Sequence, residues 1–114
     1  MSKTRKGALS QAQLQAVARM FDVLSQPSRL HLLQALHSGP LTVGELVEAT
    51  GMKQANVSKH LGVLHAHHLI GRERAGTRVR YEIADPLIFS LCQLVCGKVE
   101  RDARAAVERF HPEI

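Results

Sequence analysis

Three groups of side chains in this sequence have the type and spacing for chemistry. Cys92 and Cys96 stand four residues apart in Ser90-Leu91-Cys92-Gln93-Leu94-Val95-Cys96. On a helix, i and i+4 share a face, so two thiols are presented together. Such a pair can bind a soft metal or arsenite, or be oxidised to disulfide or polysulfide links. Buried free cysteine also serves as a small hydrophobe, and the sequence leaves the three readings open. A disulfide within the helix would be strained, because helix geometry restricts the Cβ vectors, so a bridge between subunits is the more plausible form. The second group is Gln54, Ala55, Asn56, Ser58 and Lys59. Gln and Asn can make bidentate bonds to adenine, and Lys reaches guanine or phosphate; the plain alternative is a solvated helix face. The third is Arg72, Arg74, Arg78 and Arg80, offset by Glu73. Guanidinium groups so placed clamp phosphates or enter a minor groove; the plain alternative is an edge hairpin kept soluble by charge.

These groups need elements to hold them. Ser10 is a cap for a helix over 11–24, with Leu14, Val17, Ala18, Phe21 and Leu24 at helical spacing. Pro27 suits the first turn of a second helix carrying Leu30, Leu33 and Leu36, ended by Ser38-Gly39-Pro40. Thr42 with Glu45 three residues on forms a capping box for a short helix to Thr50. Gly51 falls where a left-handed residue closes such a helix. The next helix, 54–66, turns Val57, Leu61 and Leu64 inward and Ala55, Ser58, Lys59 and Gly62 outward. A small, polar outer face lets a helix approach a groove closely. Residues 69–75 and 78–83 read as strands joined near Gly76-Thr77. Alternation puts Arg72 with Arg74, and Arg78 with Arg80. Asp85-Pro86 opens a long last helix to about Phe110. Its stripe of Ile88, Leu91, Cys92, Val95, Cys96 and Val99 suggests a face that meets a partner subunit, where two-fold symmetry would gather four thiols.

The order is a helix-turn-helix followed by a basic hairpin, which places a recognition helix in the major groove of DNA. The expected class is mainly α with a small β-hairpin wing (α+β), in a single domain over 10–110 between a flexible basic arm (1–9) and a short tail (111–114). At 114 residues and 45% apolar composition the chain can bury one small core. A net charge of +5 and a pI near 9.8 favour an anionic partner. No apolar run approaches the roughly 20 residues of a membrane span, and the basic start lacks the apolar stretch of a signal peptide. Two cysteines argue against a disulfide scaffold. The expected location is cytoplasmic. Nucleotide-binding glycine loops, His-Glu-x-x-His and nucleophile-elbow motifs are missing from the sequence, so an enzyme is not expected.

Several of these segments resemble the ArsR/SmtB winged-helix repressors. Pro27-Ser28-Arg29-Leu30 with Leu32-Leu33 is similar to that family's P-x-R-L-x-I-L opening. Glu45-Leu46 and Gln54-Ala55-Asn56-Val57-Ser58-Lys59-His60-Leu61 resemble its turn and recognition helix, and Arg74-Ala75-Gly76-Thr77-Arg78-Val79-Arg80-Tyr81 its wing. The resemblance spans roughly residues 17–95. It implies a homodimer through the first and last helices, two recognition helices in successive major grooves of a partly palindromic operator, and release of that double-stranded DNA by an inducer. One departure is local: His68 replaces the usual glycine after the recognition helix.

The family's zinc sites are not expected here. Its Cys-x-Cys site would fall in Val43-Gly44-Glu45-Leu46-Val47, which lacks cysteine. At its last-helix site Asp85 matches one ligand, but Leu87, Lys98 and Arg101 stand where the others belong, and a lone carboxylate cannot hold zinc. His65, His67 and His68 do not share one helix face, and solvated surface is the simpler reading. His60 is expected to pack or hydrogen-bond within the helix-turn-helix. Two other functions stand beside the inducible repressor: a winged-helix DNA binder with no ligand, and a protein-interaction module with a vestigial winged helix. DNA affinity that falls steeply with salt would separate the DNA binders from the last.

Overall fold

A computed structural model describes residues 7–110. The first six residues of the expected basic arm, and the 111–114 tail, lie outside the described residues. Residues up to Ala84 make one compact unit, and those from Asp85 a second.

In the first unit, helix α1 (Gln11–Leu24) opens with a complete capping box, in which the Ser10 hydroxyl accepts from the Gln13 N–H and the Gln13 amide accepts from the Ser10 N–H. Pro27 begins α2 (Pro27–Leu36), where its missing N–H costs nothing. Strand β1 (Leu41–Thr42) leads directly into α3 (Val43–Thr50). Here the Thr42 hydroxyl accepts from the Glu45 N–H at 3.2 Å and the Glu45 carboxylate accepts from the Thr42 N–H at 2.9 Å. Gly51 ends α3 at φ 74°, its N–H bonded to the Val47 carbonyl. A β-carbon would be strained at that angle, so glycine sets the tight turn into α4 (Gln54–Ala66). Strands β2 (Ile70–Ala75) and β3 (Arg78–Ile83) follow.

The sheet has three antiparallel strands in the order β1-β3-β2. The expected two-stranded hairpin is therefore extended by β1, two residues too short to leave an alternation that sequence could reveal. The core is mostly leucine: Leu32, Leu33 and Leu36 of α2, Leu46 of α3, Leu61 and Leu64 of α4, closed by Leu69 and Ile70 at the root of the sheet. Leu24 is buried with it, but Leu14, Val17 and Phe21 of the same stripe are 42–52% exposed. The expected apolar face of α1 thus exists, and most of it is exposed among the described residues.

The departure at His68 has a backbone consequence. His68 adopts φ 61°, the left-handed region that the family's glycine would occupy without cost. A β-carbon there costs about 1–2 kcal/mol. His68→Gly is expected to raise stability by about 1 kcal/mol, or several degrees in Tm, measurable by thermal denaturation. No gain would show that the imidazole makes a compensating contact.

The second unit is helix α5 (Pro86–Phe110). Its start is held by Asp85 Oδ1, which accepts from the Leu87 N–H at 2.9 Å, and Lys98 pairs with Asp102 one turn on at 2.6 Å. Ile88, Leu91 and Cys92 are half-buried, whereas Val95 and Val99 are 52% and 60% exposed. No described helix is long and apolar enough to cross a membrane.

Candidate nucleic-acid interface and thiol pair

Helix α4 divides cleanly. Val57, His60, Leu61 and Leu64 are buried, while Gln54, Ala55, Asn56, Ser58, Lys59 and Gly62 are exposed. All five predicted residues are therefore exposed over the first two turns, Ala55, Ser58 and Lys59 away from the buried side and Gln54 and Asn56 on its two flanks. Lys53 occupies the N-cap without a side-chain hydrogen bond to the helix. The first N–H groups of α4 thus stay open, beside a cation, in the arrangement that suits a phosphate. Sequence reading passed over Lys53, whose signal was the lack of Ser, Thr, Asp or Asn at that position.

The wing is less uniform than its composition. Residues directly paired across antiparallel strands share a face. Arg72 pairs with Tyr81 and Arg74 with Val79, whereas Glu73 pairs with Arg80 and Ala75 with Arg78. Arg72 and Arg74 align with each other, as do Arg78 and Arg80, but the two pairs lie on opposite faces. All four are exposed. The Arg78 and Arg80 face also carries Glu73 and Glu82. Backbone and side-chain hydrogen bonds with Thr42 hold Glu45 below the usual carboxylate range, against an opposing effect of burial, and the charges of Arg80 and Arg78 add to the lowering to a lesser degree. One pair is thus flanked by carboxylates. The other sits on the face of Val79 and Tyr81, with Glu73 on the opposite side of its strand.

His60 does pack and hydrogen-bond. It is 8% exposed, and its Nδ1 accepts from Arg29 Nε at 3.3 Å. Arginine has no acceptor, so this imidazole is neutral with its proton on Nε2. Burial, then the charges of Lys59 and Arg29, push its pKa below the ordinary 6.5. The unfolded chain therefore takes up this proton first as pH falls. The contribution to stability is complete above pH 6.5 and is lost as pH drops from there through the folded-state value. Wild-type protein is expected to lose urea resistance between pH 7.5 and 5.5 more steeply than His60→Asn. Parallel losses would mean that His60 does not govern the response.

Cys92 and Cys96 fall on one side of α5, Cys92 half-buried and Cys96 exposed. Burial pushes the Cys92 thiol up, so it holds its proton at neutral pH. Cys96 Sγ lies 4.0 Å from Glu100 Oε1. Adjacent β-carbons at i, i+4 stand about 5–6 Å apart, beyond the roughly 3.5–4.5 Å of a disulfide. The Asp85 carboxylate is engaged at the α5 start. Among the described residues, no group of three His, Cys, Asp or Glu is placed to hold a metal, the His65, His67 and His68 segment included.

A family profile described as "Bacterial regulatory protein, arsR family" matches residues 26–70, the stretch from the α2 entry to the first wing strand. The chain is 43% identical over 82 residues to the HTH-type transcriptional regulator NmtR of Mycobacterium tuberculosis, covering 72% of this chain and 68% of that one. It belongs to the ArsR family. This ArsR-family chain is also 39% identical over 77 residues to a probable mercury resistance operon repressor of Streptomyces lividans, covering 68% of this chain and 62% of the length of that repressor. In three dimensions it is similar to a homodimeric winged helix-turn-helix DNA-binding domain from Mycobacterium bovis, described as a possible ArsR-family transcriptional regulator. The TM-score is 0.70 at 33% identity, with 86% of this chain and 90% of that one covered. The fold is thus a winged helix-turn-helix, and the chain is a DNA-binding transcriptional regulator by family.

Proposed function

We propose that this ArsR-family chain is a homodimeric repressor. It binds a partly palindromic operator and lets go when Cys92 and Cys96 take up a thiophilic inducer. The observation that carries the DNA reading is the division of α4 into a buried leucine face and an exposed face of Gln54, Ala55, Asn56, Ser58 and Lys59. In this reading Gln54, Asn56, Ser58 and Lys59 read base edges in the major groove, and the small Ala55 permits close approach. Arg72 and Arg74 on one face of the wing, and Arg78 and Arg80 on the other, hold phosphates or the minor groove. The role is one of binding, with no catalytic step. The exposed Leu14, Val17 and Phe21 of α1 and Val95 and Val99 of α5 supply the dimer contacts, in keeping with the homodimeric M. bovis domain.

The thiol pair fits a soft ion or metalloid by donor type. It supplies two ligands from each chain, and a site of higher coordination draws on the partner's thiols. Cys92 is protonated at neutral pH, which slows direct oxidation but does not prevent a soft ion from displacing the proton. The mercury-operon relative favours metal or metalloid sensing.

The test is fluorescence anisotropy of a labelled duplex from the gene's own upstream region. Fully reduced protein is compared with protein given mercuric ion, arsenite, a polysulfide or a thiol oxidant. Reduced protein is expected to bind, and mercuric ion or arsenite to release it. Cys92→Ser/Cys96→Ser is expected to bind the duplex and ignore both. Release by oxidant or polysulfide alone would make the sensor redox-based. An unaltered response in the double variant would remove these thiols from the mechanism.

A further inference from the structure

Arg29 begins on α2 and reaches two other helices. Its Nε–H donates to His60 Nδ1 on the buried face of α4 at 3.3 Å, and its Nη1 donates to the Val23 carbonyl at 3.0 Å. Val23 lies in the last turn of α1, where carbonyls have no partner within their own helix. One side chain therefore closes the end of α1 and grips the inner side of α4. The guanidinium is planar, and its donors keep fixed angles, so its two acceptors are held at a set orientation. Both bonds are partly buried, where competition from water is reduced. The two helices joined this way carry different surfaces. On α1 lie the uncovered Leu14, Val17 and Phe21, and on the outer side of α4 lie Gln54, Asn56, Ser58 and Lys59.

We propose that Arg29, acting through His60, is a positioning residue that sets the orientation of α4 relative to the dimer face of α1, and thereby the half-site spacing the dimer accepts. The proposal rests on the reading of the chain as a dimeric DNA binder. Neither residue touches DNA in this scheme. Their effect is on which spacing is tolerated rather than on attraction to DNA in general.

The experiment lets wild-type protein select a duplex from a random-sequence library. Affinity is then measured for that duplex and for the same duplex with one base pair inserted at its centre. Arg29→Lys keeps the charge but cannot hold both acceptors at the guanidinium angle. It is expected to reduce the ratio of the two affinities by about tenfold, the scale of one lost charge-assisted bond, with binding to random duplex unchanged. His60→Asn, whose amide oxygen can accept where Nδ1 did, is expected to retain the ratio, and His60→Leu to lose it. An Arg29→Lys protein with the wild-type ratio overturns the proposal. Amide hydrogen exchange in the free protein gives a reading independent of DNA. The amides of α4 are expected to exchange faster in Arg29→Lys while those of α3 stay as they were, and equal exchange in α4 overturns the role of Arg29 as a strut. A wild-type protein that selects no duplex overturns the spacing role together with the DNA-binding reading, and the exchange data then still report whether Arg29 holds α4.

Discussion

Val95→Asp is expected to leave the protein monomeric and to lower its affinity for operator DNA by at least about 100-fold. Two half-sites joined in one dimer gain affinity through effective concentration, on the order of 10²- to 10⁴-fold over a single one. Losing the dimer forfeits that gain without touching a DNA contact. Val95 lies at the middle of the α5 stripe and is 52% exposed in the single chain, so a carboxylate there costs the monomer little. Across a dimer interface the same carboxylate would be buried without a partner, which is heavily disfavoured. Gln93 is exposed on the opposite side of α5, and Gln93→Asp is expected to leave both assembly and binding intact. Sedimentation gives the oligomeric state, and anisotropy with the upstream duplex gives the affinity. A Val95→Asp dimer, or a monomer that binds as tightly as wild type, would mean that this stripe serves another purpose.

Asn56→Ala should weaken the operator complex by about 5- to 150-fold, the equivalent of one bidentate base contact at roughly 1–3 kcal/mol, while binding to random duplex hardly changes. Lys59→Ala separates two possibilities on the same face. Loss confined to the operator marks contact with guanine. Equal loss on operator and random DNA, with the salt slope reduced by about one, marks contact with phosphate. The wing makes a comparison of its own. Arg72 and Arg74 stand on the face of Val79 and Tyr81, and Arg78 and Arg80 on the face of Glu73 and Glu82. The two double-alanine variants should therefore differ, with the larger uniform loss from Arg72 and Arg74, whose face lacks those carboxylates. Should Asn56→Ala reduce operator and random binding alike, α4 would be touching only the backbone of DNA.

Much of the architecture was legible because its causes are local. The Thr42 and Glu45 capping box, the Ser10 cap, Pro27 at the α2 entry and Gly51 at φ 74° each depend on residues within a single turn. Periodicity was enough to divide α4, since helical geometry leaves Ala55 and Lys59 no choice of side once Val57, Leu61 and Leu64 go inward. The substitution at His68 was visible in the sequence, but only the backbone showed that the chain keeps the left-handed conformation, at φ 61°, instead of rearranging the turn.

The amino-acid sequence by itself determined the helix boundaries, the exposed polar side of α4 and the basic wing, because caps, turns and 3.6-residue periodicity act over a few residues. Tertiary structure decided what depends on pairing between distant segments. Strand register put the four wing arginines on two faces and added β1 to the sheet. The packing of α2 against its neighbours brought Arg29 to His60, 31 residues away, and to the end of α1. It also left Phe21 uncovered on a stripe whose deeper end, Leu24, lies in the core. A periodic apolar stripe looks the same in sequence whether its own chain or a second one covers it, since the hydrophobic effect is non-directional; only the folded chain shows which side is still bare.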